Sequence, residues 1–332
     1  MHILICSGIY PPDIGGPAQY AQNLFEEFGK QDHSVWVSTY NFEKKLPTGL
    51  RHAFFFCKSF IRAAKSDFII ALDTFSVGLP TVILGKLLRK KVLLRVGGDF
   101  LWETYTARGG RLGLKDFYQS MPVLTIKEKI IYGLFNFILK NSYVVFTTNW
   151  QKQIVENYYK LDPKKCFVVE NFYGEKIKSL EPKERNFIFA GRLINLKNIN
   201  TLKEVFKLAQ DKLPELKLEI ITDLSHEDLM EKIKKSYAVI LLSLTDIGPN
   251  FILDAVRLNK PFIMTKETGL YDRLKDVGIF VDPNNKEEIK NKILSLLDKK
   301  TYQEYVEKVS GFTFTHSWPK IAQEFINIYK TI

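Results

Sequence analysis

The chain has 332 residues, 45% of them hydrophobic, which is enough to bury two ordinary cores and too much for one small domain. With 19 glycines and 13 prolines it falls outside the disordered and fibrous classes. A formal charge of +11 favours phosphates, nucleic acid or anionic lipid as partners without choosing among them.

Strand-like and helix-like segments alternate almost throughout, which predicts an α/β protein with parallel sheets. The first half reads as strands at 2–7, 34–39, 52–57, 67–72, 91–96, 143–147 and 166–169, with helices at 17–30, 76–89, 124–141 and 149–160. A polar, charged stretch at 174–185 has no apolar periodicity and reads as a linker. The second half starts again with strands at 186–190, 217–222, 237–242, 261–264 and 278–281 and helices at 198–211, 226–235, 249–258 and 285–298. A closing helix at 316–330 is entered through Pro319 and carries Ile321, Ala322, Phe325, Ile328 and Tyr329 at helical spacing.

Two strand-to-helix junctions carry chemistry. After strand 2–7, Gly15 and Gly16 precede Pro17, a residue suited to the first helical position. The helix N-terminus there, at the carboxyl end of a strand, suits a phosphate, although Gly-Gly-Pro alone also reads as a tight turn. The loop lacks the Gly-x-Gly-x-x-Gly spacing of a dinucleotide fold. In the second half, Arg192 and Lys197 follow strand 186–190, one offering a planar fork and the other a movable point charge. Asp246 and Asp254 bracket IGPNFIL. Gly248 and Pro249 resemble a helix start, so the N–H groups of Asn250 and Phe251 could take phosphate oxygens while Asp254 reaches a sugar hydroxyl. The plainer alternative makes Asp246 a cap and Asp254 an exposed helix residue.

These segments together resemble glycosyltransferase family 4, the retaining nucleotide-sugar enzymes of the GT-B fold. GIYPPDIGGPAQY resembles the family's opening Gly-Gly loop, FIFAGRLINLKN its Gly-Arg-Leu followed by lysine, and SLTDIGPNFILDAVRLNKPFIMT its Glu-x7-Glu block. VVEN, ending at Asn171, resembles the strand before the linker. The resemblance implies two Rossmann-like domains facing a central cleft: 1–173 on the acceptor side, 186–314 on the donor side, and 315–332 as a helix returning to the first domain. It implies that Arg192 and Lys197 hold the donor diphosphate, with Gly15 and Gly16 approaching from the other domain. Asp254 would bind the ribose and Asp246 would lie near the transferred sugar, with Gly98 and Asp99 at the sugar from the first domain. Retention in such enzymes uses no attacking carboxylate, so catalysis rests on positioning and on stabilising the departing diphosphate. The chain departs from the family in having aspartate for both glutamates, Gly97 where many members carry histidine, and a shortened 217–242 region that normally contributes to base recognition.

No Asp-x-Asp occurs, and His2, His33, His52, His226 and His316 form no ligand-spaced set, so neither a metal nor another cofactor is expected. Ser225 and Asp228 around His226 have capping-box spacing. The three cysteines, Cys6, Cys57 and Cys166, are odd in number and far apart, which suits free thiols in a reducing compartment. The N-terminus lacks secretory-leader features, and the apolar runs fall short of the roughly 20 residues of a spanning helix. The expectation is a cytoplasmic chain, soluble or peripheral on the inner face of the membrane. The segment 51–65 mixes cations with aromatics and makes an anionic membrane surface a candidate partner. The functional expectation is a glycosyltransferase moving a sugar from a nucleotide-sugar donor to a glycan or lipid-linked acceptor, with no nucleic-acid partner. A sugar-nucleotide epimerase and a non-catalytic nucleotide-sugar-binding subunit are the alternatives.

Overall fold

A computed structural model describes residues 1–13 and 15–332. In chain order the elements are β1 (His2–Ser7), α1 (Gly16–Lys30), β2 (Ser34–Thr39), α2 (Thr48–Lys65), β3 (Phe68–Ala71), α3 (Gly78–Leu88), β4 (Lys91–Val96), α4 (Phe100–Ala107), α5 (Leu114–Ser120), α6 (Ile126–Lys140), β5 (Tyr143–Phe146), α7 (Asn149–Tyr159) and β6 (Cys166–Val168). They continue with β7 (Asn186–Ala190), α8 (Ile199–Gln210), β8 (Lys217–Ile221), α9 (His226–Lys235), β9 (Ala238–Leu241), α10 (Asn250–Arg257), β10 (Phe262–Thr265), α11 (Tyr271–Leu274), β11 (Ile279–Val281), α12 (Lys286–Leu296), α13 (Lys299–Ser310) and α14 (Trp318–Thr331). The chain divides into two units, the first made of Met1–Thr104, Pro122–Asn171 and Ser317–Ile332, the second of Tyr105–Met121 and Phe172–His316.

The first unit is built on a parallel sheet in the order β2-β1-β3-β4-β5-β6. Its inner strands are covered on both faces, so Ile3, Leu4, Ile5, Phe68, Ile69, Ile70, Leu93 and Leu94 are fully buried. That is why they read as continuous apolar runs rather than alternating ones. Helix α14 belongs to this unit, with Ile321, Ala322, Phe325 and Ile326 buried. Its Trp318 ring meets Tyr20 of α1 edge-on at 5.1 Å, and its Tyr329 ring stacks on Phe68 at 4.4 Å. The C-terminal carbonyl of Ile332 accepts from Lys91.

The second unit has a parallel sheet in the order β11-β10-β9-β7-β8, with Phe187, Ile188, Phe189, Val239, Ile240 and Ile263 among its buried core residues. In both sheets one strand sends the chain outward to one side and its neighbour carries it onward to the other. This switch lies between β1 and β3 in the first sheet and between β7 and β9 in the second. Crevices at the carboxyl ends of such strands are where open α/β sheets bind ligands.

The structure corrects three expectations. Residues 52–57, expected as a strand, lie within α2. The aromatic run suggested extended chain, but burial falls on Phe55, Ser59 and Ala63, four residues apart, which is a helical stripe. Segment Tyr105–Met121, placed with the first half, packs with the second unit. Helices α4, α5, α11 and α13 were not expected. The first three are short, and α13 fully buries only Val309, while Tyr302 and Tyr305 on the same face pack partly buried against the core. The expected linker at 174–185 contains no helix or strand and is tied into the second unit. Lys176 donates to the carbonyls of Val256 (2.8 Å) and Val309 (2.5 Å), and buried Lys260 donates to Leu180 (2.8 Å).

Candidate functional site

The second unit's switch point is built from two loops. At the exit of β7, Gly191 has φ of +154°, a conformation that side-chain-bearing residues rarely adopt, and its amide donates to the Ile221 carbonyl (3.0 Å). The chain then turns through exposed Arg192 and a short 3-10 turn at Asn195–Lys197 into α8. At the exit of β9 the chain runs through Ser243, Thr245 and Asp246 to α10. The two loops are stitched together by the amide of Leu244 donating to the Leu196 carbonyl (2.8 Å).

Across this junction Lys197 Nζ meets Asp246 Oδ2 at 2.6 Å, both side chains being less than one-fifth exposed. Ser243 Oγ donates to the same Asp246 oxygen (3.1 Å), and the Asp246 amide donates to the Glu267 carbonyl (3.0 Å). An ammonium has three donors and a carboxylate about four acceptor positions. The pair therefore keeps donor capacity on Lys197, and Asp246 Oδ1 has no partner among the described residues. The Arg192 guanidinium likewise has none among the described residues.

Helix α10 begins just after, with Pro249 as its N-cap residue and no side-chain cap bond. Its positive dipole end faces the same edge, beside Gly248, Asn250 and buried Phe251. Asp254, one turn in, is 6% exposed rather than on an open helix face. Its Oδ2 lies 2.9 Å from His226 Nε2 and its Oδ1 lies 3.4 Å from an Arg257 nitrogen. Ser225 caps α9, accepting from the Asp228 amide (3.1 Å), as its spacing suggested. The adjacent His226 has a second partner that sequence spacing could not show. Its hydrogen bond to Asp254 raises its pKa above the usual histidine value, with burial acting in the opposite direction.

Sequence reasoning also missed what lies over these loops. Segment Tyr105–Met121 is fastened to them: Asn195 Nδ2 donates to the carbonyls of Thr106 (3.2 Å) and Ala107 (3.1 Å). Arg111 donates to Asn198 (3.2 Å) and Asn284 (3.1 Å), and the Leu114 amide donates to Thr245 Oγ1 (2.8 Å). Beneath it is Glu267. A Cβ on Gly113 would come within 3.1 Å of its carboxyl carbon, and its Oε2 is buried with no hydrogen-bond partner among the described residues. Burial, reinforced by Asp116, pushes the Glu267 pKa up to about 7. A lone glutamate in the turn after strand β10 gave no signal of this in the sequence.

The remaining candidates lie in the first unit. Gly15 has φ of +147° and is the N-cap of α1, with Gly16 as its first residue and Pro17 following. Gly98 and Asp99 follow β4, two strands away in the sheet from β1. Asp99 is 1% exposed, and its Oδ1 accepts from the Trp102 amide (2.9 Å), capping α4. At the first sheet's own switch point the carboxylate is Asp73, which the sequence reading did not single out. A Cβ on Gly8 would come within 2.8 Å of Asp73 Oδ2, so the loops after β1 and β3 touch there. Burial raises the Asp73 pKa, while hydrogen bonds from its own turn, including the Val77 amide (3.0 Å), lower it. The structure thus brings Lys197 and Asp246 into contact at one edge. It pairs Asp254 with His226 instead, and spreads the first-unit residues over two separate strand ends.

No protein-family model matches the chain, and no curated protein sequence matches it. Solved structures do. Sucrose-phosphate synthase from Thermosynechococcus elongatus superposes with a TM-score of 0.72 at 14% identity, covering 99% of this chain and 98% of that one. HepE from Anabaena in complex with UDP gives 0.66 at 14% identity over 100% of both chains. The lipopolysaccharide outer core galactosyltransferase WaaB gives 0.62 at 15% identity over 99% of both. At such identities the likeness is one of fold: two parallel sheets with flanking helices, as in GT-B glycosyltransferases.

Proposed function

We propose that this chain is a retaining glycosyltransferase that moves a sugar from a nucleotide-sugar donor to a glycan or lipid-linked acceptor. The observation that carries the reading is the Lys197–Asp246 pair bridging the loops at the β7/β9 switch point, with the Arg192 guanidinium, which has no partner among the described residues, beside it in sequence. A cation that keeps spare donors, next to a carboxylate that keeps a spare oxygen, suits a ligand that is anionic at one end and hydroxylated at the other. A sugar diphosphate is such a ligand. The fold supports the same reading, since HepE, of like architecture, is solved with UDP-glucose.

In this proposal Arg192 and Lys197 hold the diphosphate and stabilise it as it leaves, supplying positive charge without a metal. The start of α10, at Gly248, Asn250 and Phe251, adds its dipole. Asp246 faces the sugar, where a carboxylate stabilises the cationic character that develops as the glycosidic bond breaks. The departing phosphate assists the incoming hydroxyl on the same face, so configuration is kept and no carboxylate attacks. In the first unit, Gly15 and Gly16 are proposed at the phosphate and Gly98 and Asp99 at the sugar, with Asp99 acting through the α4 turn that it caps.

We further place the enzyme at the cytoplasmic face of an anionic membrane. No helix among the described residues is long and apolar enough to cross one. Helix α2, however, exposes Leu50, Phe54, Phe60 and Ile61 among Arg51, Lys58, Arg62 and Lys65, a composition suited to lying at an anionic interface.

The test is incubation with a panel of nucleotide sugars and acceptors, with proton NMR of the first-formed product. The expected product keeps the donor's anomeric configuration, and transfer survives EDTA. Inversion would remove the retaining mechanism, and EDTA inhibition reversed by magnesium or manganese would remove metal independence.

A further inference from the structure

We propose that His226 is the residue that contacts the nucleoside of the donor, and that Asp254 serves to hold it; this rests on the nucleotide-sugar reading above. Asp254 is poorly placed to take the ribose alone. It is a short side chain, 6% exposed, with one oxygen on His226 and the other near Arg257. The imidazole above it is the accessible group, its side chain being 39% exposed. A carboxylate only accepts, so Nε2 carries the proton in the His226–Asp254 bond. That leaves Nδ1, which has no partner among the described residues, as the nitrogen a ligand can reach.

The placement fits the ligand. His226 opens α9 at the carboxyl end of β8, next in the sheet to β7 and its Arg192 loop. Its partner Asp254 lies four residues into α10, about 6 Å along the axis from the start of that helix. That is the offset expected between a diphosphate at the α10 start and the ribose attached to it. The charged groups facing His226 are Asp254 and Arg257 of α10. Glu227 and Asp228 follow it on its own helix, Asp228 being engaged with Ser225. Asp254 favours the imidazolium, and Arg257 and burial oppose it. As imidazolium, His226 donates from Nδ1 to a ribose hydroxyl oxygen, so nucleotide affinity falls as pH rises through its titration.

Calorimetric titration of the full chain with UDP, GDP and inorganic pyrophosphate, from pH 5.5 to 8.5, tests this with wild type, His226→Gln and Arg192→Ala. Glutamine can still donate to Asp254 but carries no titratable nitrogen in place of Nδ1. The expected result is that His226→Gln binds the preferred nucleoside diphosphate about tenfold more weakly and loses its pH dependence, while its pyrophosphate affinity stays at the wild-type value. Arg192→Ala should weaken both ligands. Wild-type nucleotide affinity and pH profile in His226→Gln, with Arg192→Ala impaired, would overturn the role of His226 alone. Equal loss of nucleotide and pyrophosphate in His226→Gln would also overturn it, as a purely structural effect. If none of the three ligands binds wild type, the nucleotide-sugar reading fails and this inference with it.

Discussion

The two switch points have the same topology and different chemistry. Between β1 and β3 the loops carry no lysine or arginine, and the one carboxylate at their contact, Asp73, accepts hydrogen bonds from its own turn. Between β7 and β9 the loops carry Arg192, Lys197 and Asp246, the last two joined across the crevice at 2.6 Å. A fold supplies a crevice in both places, but only the loops of the second carry cationic side chains, which shows how chemistry resides in the loops of a shared scaffold. The second crevice is also the one roofed by a segment from elsewhere in the chain, Tyr105–Met121.

The largest effect should come from discharging the second crevice. Arg192→Ala and Lys197→Ala should each lower turnover about a hundredfold or more, the scale of losing one preorganised electrostatic donor. Steady-state kinetics on the preferred donor checks this, and wild-type rates in both variants would erase the contrast between the crevices. Next, Asp246→Asn should lower kcat about tenfold or more while changing the Kd of free nucleoside diphosphate little, because a contact that strengthens as the sugar becomes cationic acts on turnover. A variant that loses only nucleotide affinity would move Asp246 away from the sugar.

A smaller effect concerns the roof. Glu267 has a folded pKa raised to about 7 from an ordinary value of 4.5, so the folded chain keeps a proton that the unfolded chain releases. Its contribution to stability is fully present below pH 4.5 and is lost as pH rises through 7. Glu267→Gln should therefore flatten the decline in denaturant midpoint between pH 4.5 and 7. An unchanged slope would show that the carboxyl under Tyr105–Met121 is not held protonated. The smallest effect is on the outer surface of the first unit. Phe54→Ser with Ile61→Ser on α2 should reduce flotation with anionic vesicles a few-fold, and raising salt should reduce it further. Equal flotation of wild type with neutral and anionic vesicles would remove that surface from the account.

Much of the fold was legible because the parallel strands are buried on both faces, so β1, β3, β7, β9 and β10 announce themselves as apolar runs bounded by glycine or polar loops. Residues 52–57 misled for the same reason: three consecutive phenylalanines mimic a buried strand, and only the spacing of Phe55, Ser59 and Ala63 shows the helix. The junction carrying Arg192, Lys197 and Asp246 was readable because it is contiguous with its strands. The His226–Asp254 pair, Asp73 and Glu267 were not. Each depends on contacts between loops far apart in sequence, and a single carboxylate or histidine in a turn carries no periodic signal. The assignment of Tyr105–Met121 was hidden likewise, since its attachment runs through Asn195, Thr245 and Asn198, which lie 87 to 131 residues away.

The most direct test of the difference between the crevices is equilibrium binding of the preferred nucleoside diphosphate to wild type, Lys197→Ala and Asp73→Asn, the last keeping a side chain able to cap its turn. The expected result is wild-type affinity in Asp73→Asn and a loss of tenfold or more in Lys197→Ala. Loss in Asp73→Asn with full affinity in Lys197→Ala would place the diphosphate at the β1/β3 crevice and contradict it.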